Sequence, residues 1–456
     1  MRGPWLIAVA AAMHRTEQAC ALPNEAGPLT SAPRPDPASG LAPAAHLRAQ
    51  ADPEEPRYGW VVAWATFASL ALIFGVSYSF AAFFEPFATE FKAQRADVAL
   101  VFGLSGLIYF SLGAFAGMLA DRIGPRAVTA SGMLCIAFGL LAASVAGSML
   151  QVTLAFGVGV GVGIALVYTP SIGCVQPWFT RNRGLAAGLA SAGIGAGTLV
   201  IPLLAAWAIA ALQWRGALRA LALAVLLLGL FAAALMRRAP AATARAGAAV
   251  AGASLREALR SPRFRWLYLM ILLGAPSMFI PFAHVSAAAR DLGVAEAQAV
   301  GLVGLIGIGS LSGRFAIGAL ADRIGRPVTL VLAGASLGVS YLLWAAAGGY
   351  TALAVFALWM GMSYGGMVAL IPAMCMDFFG PRAVSSIIGT LYTGAGIGNL
   401  AGPWLAGRVF DHLESYSGVI WGCLVLSAAS TFAAAMAARR QAPAPGAAGM
   451  RQPTNV

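Results

Sequence analysis

The sequence predicts an all-α membrane protein: twelve transmembrane helices arranged as two pseudo-symmetric six-helix bundles. Three observations carry that prediction. Of 456 residues, 59% are hydrophobic and only 10% charged, where a soluble domain carries roughly 25% charged residues. The apolar runs have the ~20-residue length that a bilayer core demands. The second half also repeats motifs of the first at one fixed offset of 201 residues, as a duplicated unit does.

The elements follow in order. Residues 1–56 read as a disordered tail rich in Pro, Ala and polar groups. The apolar stretch Pro4 to Met13 is too short to span and resembles the apolar part of a signal peptide. Spans are expected at about 58–84, 98–120, 127–147, 150–176, 184–210 and 217–236, a first bundle over 57–236. A basic cytoplasmic linker occupies 237–265, in which Ser254 to Arg260 reads as a short amphipathic helix on an anionic membrane surface. A second bundle over 266–440 has spans at about 266–288, 298–321, 327–347, 351–376, 384–407 and 418–437, and 441–456 is a second disordered tail.

Charge orients these spans. The net charge of +12 comes almost wholly from Arg, Lys92 being the single Lys. With the N-terminus in the cytoplasm, 17 basic residues fall on cytoplasmic flanks and 6 on the opposite side. That bias is the positive-inside pattern, and it places both termini in the cytoplasm of a multi-pass protein of the cell's inner (plasma) membrane. The Arg are thus topology signals and not a nucleic-acid surface. Five Cys without a CxxC and four His without an HxxxH indicate neither a disulfide framework nor a metal site. No nucleophile–base pair or phosphate loop is visible, so neither an enzyme nor a cofactor is expected.

The repeat is most explicit between Gly117-Met-Leu-Ala-Asp-Arg-Ile-Gly124 and Gly318-Ala-Leu-Ala-Asp-Arg-Ile-Gly325, which match at seven of eight positions. The same offset pairs Gly193, Gly195, Gly197 and Pro202 with Gly394, Gly396, Gly398 and Pro403. Parallel six-span repeats are a known transporter architecture, with the solute held near mid-membrane between them. These motifs resemble the signature loops of the major facilitator superfamily, over about residues 58–437. The resemblance implies a gating role for Asp121, Arg122 and Arg126 in the first loop and for Asp322 and Arg323 in the second. There the loop Asp docks on the facing half and latches the outward-open state. Gly117 and Gly318 allow close helix approach. A monomer is the form this family implies. Span 5 lacks the Gly-Pro-x-x-Gly-Gly ending of drug/proton antiporters, which counts against multidrug efflux.

One charge is not explained by packing. Arg314 lies in span 8, eight residues before Asp322, roughly 12 Å along a helix. A charge near mid-membrane costs about 2.5–3.5 kcal/mol even on the lenient insertion scale and is a functional candidate by default. Its repeat partner is Gly113, so the duplicated fold does not require it. Guanidinium stays charged and grips a carboxylate through two parallel bonds. The competing role is a structural ion pair, for which Asp377 is the best-placed acid.

Four stretches further resemble the monocarboxylate transporters and the bacterial oxalate/formate antiporters within that superfamily. They are Tyr58-Gly-Trp-Val-Val, the basic run from Trp178 to Gly193, Phe282 to Gly293, and Ser310-Leu-Ser-Gly-Arg314. The resemblance implies a small carboxylate as solute. Departures are visible: Ser310 stands where animal carriers have an Asp implicated in proton coupling, and neither span 1 nor span 11 holds a Lys. One intramembrane cation favours a monoanion.

The expected site is therefore Arg314 with Ser310 and the tyrosines of cavity-lining spans, Tyr78, Tyr168, Tyr364 and Tyr392. His284, Asp377 and Glu85 are candidates for proton coupling, although His284 at a span's outer end reads first as an interfacial hydrogen-bonder and Glu85 as an interfacial charge. Protons are a possible second partner, and symport and antiport both stay open. Two alternatives are carriage of another solute, such as a drug or neutral metabolite, and a non-transporting receptor on the same fold.

Overall fold

The computed structural model describes residues 57–179, 183–239, 252–380 and 382–439. The tails expected at 1–56 and 441–456, and the central stretch of the linker, lie outside them. The described residues hold helices and no strand.

The first half begins with α1, Tyr58–Phe91, broken only at Ser79. It continues with α2 (Arg95–Ile123), α3 (Pro125–Ser144) and α4 (Met149–Val175). A single helical run, Arg183–Ala224 continuing to Leu235, contains a non-helical residue, Gln213 (φ 61°, ψ 169°), which divides it into α5 and α6. The second half holds α7 (Pro262–Asp291), α8 (Glu296–Ile324), α9 (Arg326–Ala345), α10 (Tyr350–Phe379), α11 (Val384–Leu413) and α12 (Ser417–Ala438). Among the described residues, ten helices are long and apolar enough to cross a membrane. One of those ten is the divided α5–α6 run, and α11 falls outside them although it has 30 residues. Its Gly, Thr and Asn content dilutes its apolar character. Twelve crossing helices result, as expected.

Boundaries differ from expectation at helix ends. Helix α1 runs on to Phe91, well past residue 84, through the apolar stretch Phe80–Phe87. Helix α7 starts at Pro262, inside the expected linker, because Ser261 caps the amide of Phe264 and Pro262 suits the first turn. The amphipathic stretch does form a helix, Leu255–Arg260, closed by a reciprocal Ser254–Glu257 capping box. Those hydrogen bonds to the Glu257 carboxylate, from the Ser254 amide first, hold it below the usual carboxylate range.

The duplication shows in the backbone. Both signature loops turn on a glycine at positive φ, Gly124 at 99° and Gly325 at 89°, with ψ 147° and 141°. L-residues avoid that region, so glycine is required there. Within each half, helices pack through small residues. A Cβ on Gly159 would lie 3.1 Å from the Cα of Gly139, bringing α3 and α4 into near backbone contact.

Between the halves, α2 packs along α11, α5 along α8, and the outer part of α1 against α7. The polar contacts seen between halves lie near mid-membrane or at the Arg-poor end. At the Arg-rich end, the described ion pairs and side-chain hydrogen bonds stay within one half or reach the linker. Arg326 holds Asp377 with two bonds of 2.8 Å. Arg238 donates to the carbonyls of Ala120 and Asp121.

Candidate functional site

A cavity of about 50 Å³ lies between the halves. One water needs about 10–15 Å³ of such space, so the room suits a few heavy atoms. Its walls come from Phe74, Tyr109, Phe110, Tyr168 and Ile194 of the first half. The second half adds Met270, Met278 and Phe279 of α7, Tyr364 and Ile371 of α10, and Tyr392 of α11. Rings and thioethers make the surface; the polar groups on it are phenol hydroxyls. Tyr364 exchanges a hydrogen bond of 3.1 Å with Tyr78. Tyr109, Tyr168 and Tyr392 have no hydroxyl partner among the described residues and are not among the buried, unsatisfied atoms. Their donors are thus available to the cavity.

Toward the Arg-poor end the cavity is closed by aromatic packing. Tyr78 stacks on Phe282 with centroids 4.0 Å apart and meets Phe102 at 6.1 Å. The Tyr78–Tyr364 bond ties this plug across the halves.

Arg314 is half-buried. Its Nε and Nη2 are shut from solvent and have no hydrogen-bond partner among the described residues, and no carboxylate there pairs with it. It does not line the cavity directly. Its helix packs along α10, where Gly313 meets the Met362 backbone two residues from the cavity residue Tyr364. Ser310 is buried, its hydroxyl unpartnered, with its backbone against Gly365 of α10 and not on the cavity wall.

The three coupling candidates stand elsewhere. Asp377 is not the partner of Arg314. It sits at the inner end of α10, half-exposed, where Arg326 at the start of α9 is nearer and claims both oxygens. Glu85 is exposed and lies 3.5 Å from Arg290, an interfacial ion pair. His284 is fully buried. Its Nε2 bonds the Pro403 carbonyl at 2.8 Å, which requires a donor, and its Nδ1 lies 3.0 Å from the Tyr416 hydroxyl. Both ring nitrogens are thereby engaged within the second half.

The gating candidates divide similarly. Asp121, Arg122, Arg126, Asp322 and Arg323 are exposed at the Arg-rich end. Gly117 packs near Thr169 of its own half, and Gly318 faces open space. Neither loop is latched to the opposite half by a described contact.

The closed end is built from residues that sequence reasoning passed over. Arg95 at the head of α2 grips Asp291 with bonds of 2.7 and 2.8 Å and donates to Tyr416 at 2.9 Å. Its guanidinium also covers the Phe410 ring at 3.8 Å. The amides of Arg95 and Ala96 donate to Asp411 at 3.0 and 3.1 Å. Helix α2 of one half is thus capped by α11 of the other, since Gln94 supplies no cap. In the sequence these residues carry only the signal of charges at span ends, with nothing to pair them.

A family model described as Major Facilitator Superfamily matches residues 65–389 and 277–454. The chain is 30% identical to "Monocarboxylate transporter 13" of Rattus norvegicus, over 82% of this chain and 88% of that one. It is 30% identical to "Monocarboxylate transporter 3" of the same organism, over 81% and 77%. It is 27% identical to "MFS transporter asaE" of Aspergillus flavus, over 72% and 75%. Among solved structures it is similar to a bacterial homolog of the human lysosomal transporter Spinster, in an inward-facing and occupied conformation. The TM-score is 0.65 at 17% identity, covering 83% of this chain and 96% of that one, a likeness of fold.

Proposed function

We propose that this chain, which belongs to the Major Facilitator Superfamily, carries a small monocarboxylate across its membrane with Arg314 as the anion's counter-charge. Family and fold make it a multi-pass secondary transporter of alternating-access architecture. The carboxylate reading rests on one observation above the others: a guanidinium without an acid among the described residues, on a helix packed along α10, which carries Tyr364 to the wall of a cavity between the halves. A monocarboxylate would take Arg314 as its charged partner and phenol donors as its neutral ones. The size of the cavity favours a short acid, its apolar walls a hydrocarbon tail, and the similar transporters' names point the same way. With the Arg-rich face taken as cytoplasmic, the contacts at the other face describe an inward-facing state.

The experiment is a melting-temperature screen of purified protein with formate, acetate, lactate and pyruvate, beside neutral amides of the same shapes. Acids stabilise and amides do not. In Arg314→Ala the stabilisation disappears and uptake by proteoliposomes falls at least about tenfold, the scale of a lost charge-assisted pair. Equal stabilisation by the amides, or normal uptake by the variant, would overturn the assignment.

A further inference from the structure

The first two turns of α7 carry a groove of about 290 Å³ lined by Pro262, Arg265, Trp266 and Leu269. Their spacing puts all four on one side of the helix. Ile271, Ala275 and Met278, which line the cavity between the halves, fall on roughly the opposite side at about 100° per residue. The first amides of α7 are occupied: those of Phe264 and Arg265 go to the Ser261 hydroxyl and carbonyl. Two side chains are not. Arg265 is exposed, and no described acid or other acceptor meets its guanidinium. Trp266 is partly buried, its ring edge-on to Phe432 of α12 at 6.1 Å. Its Nε1 has no described acceptor and is not among the buried, unsatisfied atoms, so this donor is open to the surroundings.

The groove lies on the seam of two crossing helices. Helices α7 and α12 run antiparallel, with Ser277 donating to the Cys423 carbonyl and Ser430 to the Met270 carbonyl. Beside the groove on this seam, Leu269 and Phe432 are 37% and 59% exposed, apolar side chains that suit acyl chains better than water. Toward the Arg-rich end the seam finishes in cations. Arg439 closes α12, and Arg256 and Arg260 stand on the linker helix Leu255–Arg260, all exposed. The carboxylate of that helix, Glu257, is held in its capping box. Leu269, Trp266 and Arg265 succeed one another within little more than one turn, and the Arg265 stem can carry its charge further toward the face. A phospholipid presents its groups in that order: acyl chain, ester region, phosphate.

We propose that this groove binds one anionic phospholipid, with the phosphate on the Arg265 guanidinium, the ester region at the Trp266 N–H and an acyl chain along Leu269 and Phe432. A guanidinium takes two phosphate oxygens through parallel bonds. An indole at the interface donates to a lipid oxygen while its ring stays among the chains. The head must carry net negative charge: no described acid stands free beside Arg265 to receive a choline or ethanolamine ammonium, and the exposed Arg at this end repel one. A free phosphate would satisfy Arg265 and leave the apolar wall unfilled. The site differs from general attraction of basic residues to a charged surface, which needs neither a groove nor any particular Arg. It is also independent of the solute carried, since the groove is on the other side of α7 from the cavity.

Native mass spectrometry of the full chain in detergent tests this by counting bound lipid. The probes are dioleoyl phosphatidylglycerol, phosphatidylcholine with the same chains, and glycerol phosphate. The wild type should retain phosphatidylglycerol in preference to phosphatidylcholine and should not retain glycerol phosphate. Arg265→Gln should weaken phosphatidylglycerol binding about tenfold, the scale of a lost charge-assisted bond. Trp266→Phe, which keeps a ring and loses the donor, should weaken it by a smaller factor. Arg256→Gln removes an equal charge outside the groove and should bind like wild type. Equal retention of phosphatidylcholine overturns the proposal, as does wild-type binding by Arg265→Gln or an equal loss in Arg256→Gln. Glycerol phosphate held as tightly as the lipid would identify a free-phosphate site and overturn it too. Arg265 is exposed, so its variant should melt like wild type without lipid. Where it does not fold, Trp266→Phe and Arg256→Gln decide: binding reduced in the first and kept in the second supports the site, and any other pattern rejects it.

Discussion

Asn399 shows what a single residue contributes at the seam between halves. It is fully buried on α11 and points at Gly106 of α2, where a Cβ would overlap its amide. Its Nδ2 reaches the carbonyls of Phe102 and Gly103 only at 3.5 Å, and its Oδ1 has no partner. The amide therefore works as a wedge in a glycine notch more than as a hydrogen-bonding group. Gly106→Ala should lower stability by about 1–3 kcal/mol, the usual cost of overpacking. Adding Asn399→Ala should restore part of the loss. Thermal melts of the single and double variants measure both effects; no rescue would mean that the notch serves something other than Asn399.

At the scale of elements, the junction of α2, α7 and α11 governs the closed face. Arg95 and Asp291 are 20% and 37% exposed, so their ion pair alone contributes modestly. The cap that Asp411 places on α2 adds a term of about 1 kcal/mol, typical of a lost helix cap. The bonds run on from Arg95 through Tyr416 and His284 to the Pro403 carbonyl, coupling the latch to the interior of the second half. Asp411→Ala should shift the population toward the form open at this face. Spin labels at Thr89→Cys on α1 and Leu413→Cys on α11 read it, as an added longer distance. An unchanged distance distribution would show that aromatic packing around Tyr78 holds the face closed without the latch.

For the whole molecule, the two ends are in opposite conditions: one is bonded across the halves, and at the other the described residues form no ion pair or side-chain hydrogen bond across them. The signature-loop acids Asp121 and Asp322 are exposed here and make no described side-chain contact across the halves; the gating role expected of them is open to test. Asp121→Asn should thus leave the melting temperature of this state within the ±0.5 kcal/mol typical of surface changes, while uptake slows. A drop in stability without loss of uptake would show that Asp121 instead serves a structural role in this form.

Much was legible in the chain itself. Bilayer-length apolar runs, Arg placement and the 201-residue repeat determined twelve helices in two related halves, because the bilayer permits few other ways to satisfy the backbone. The lone Arg314 was legible for the same reason: a charge stands out where charges are expensive. The repeat also marked it as belonging to one half. Only the tertiary structure decided which groups meet. It took Asp377 from Arg314, gave the His284 ring the Pro403 carbonyl and the Tyr416 hydroxyl, added Tyr109 to the cavity, and joined Arg95 to Asp291 and Asp411 across 196 and 316 residues of chain. Periodicity and hydropathy report which side of a helix is apolar. They do not report the rotation and height at which two helices face each other, and those coordinates determine whether a charge finds a partner.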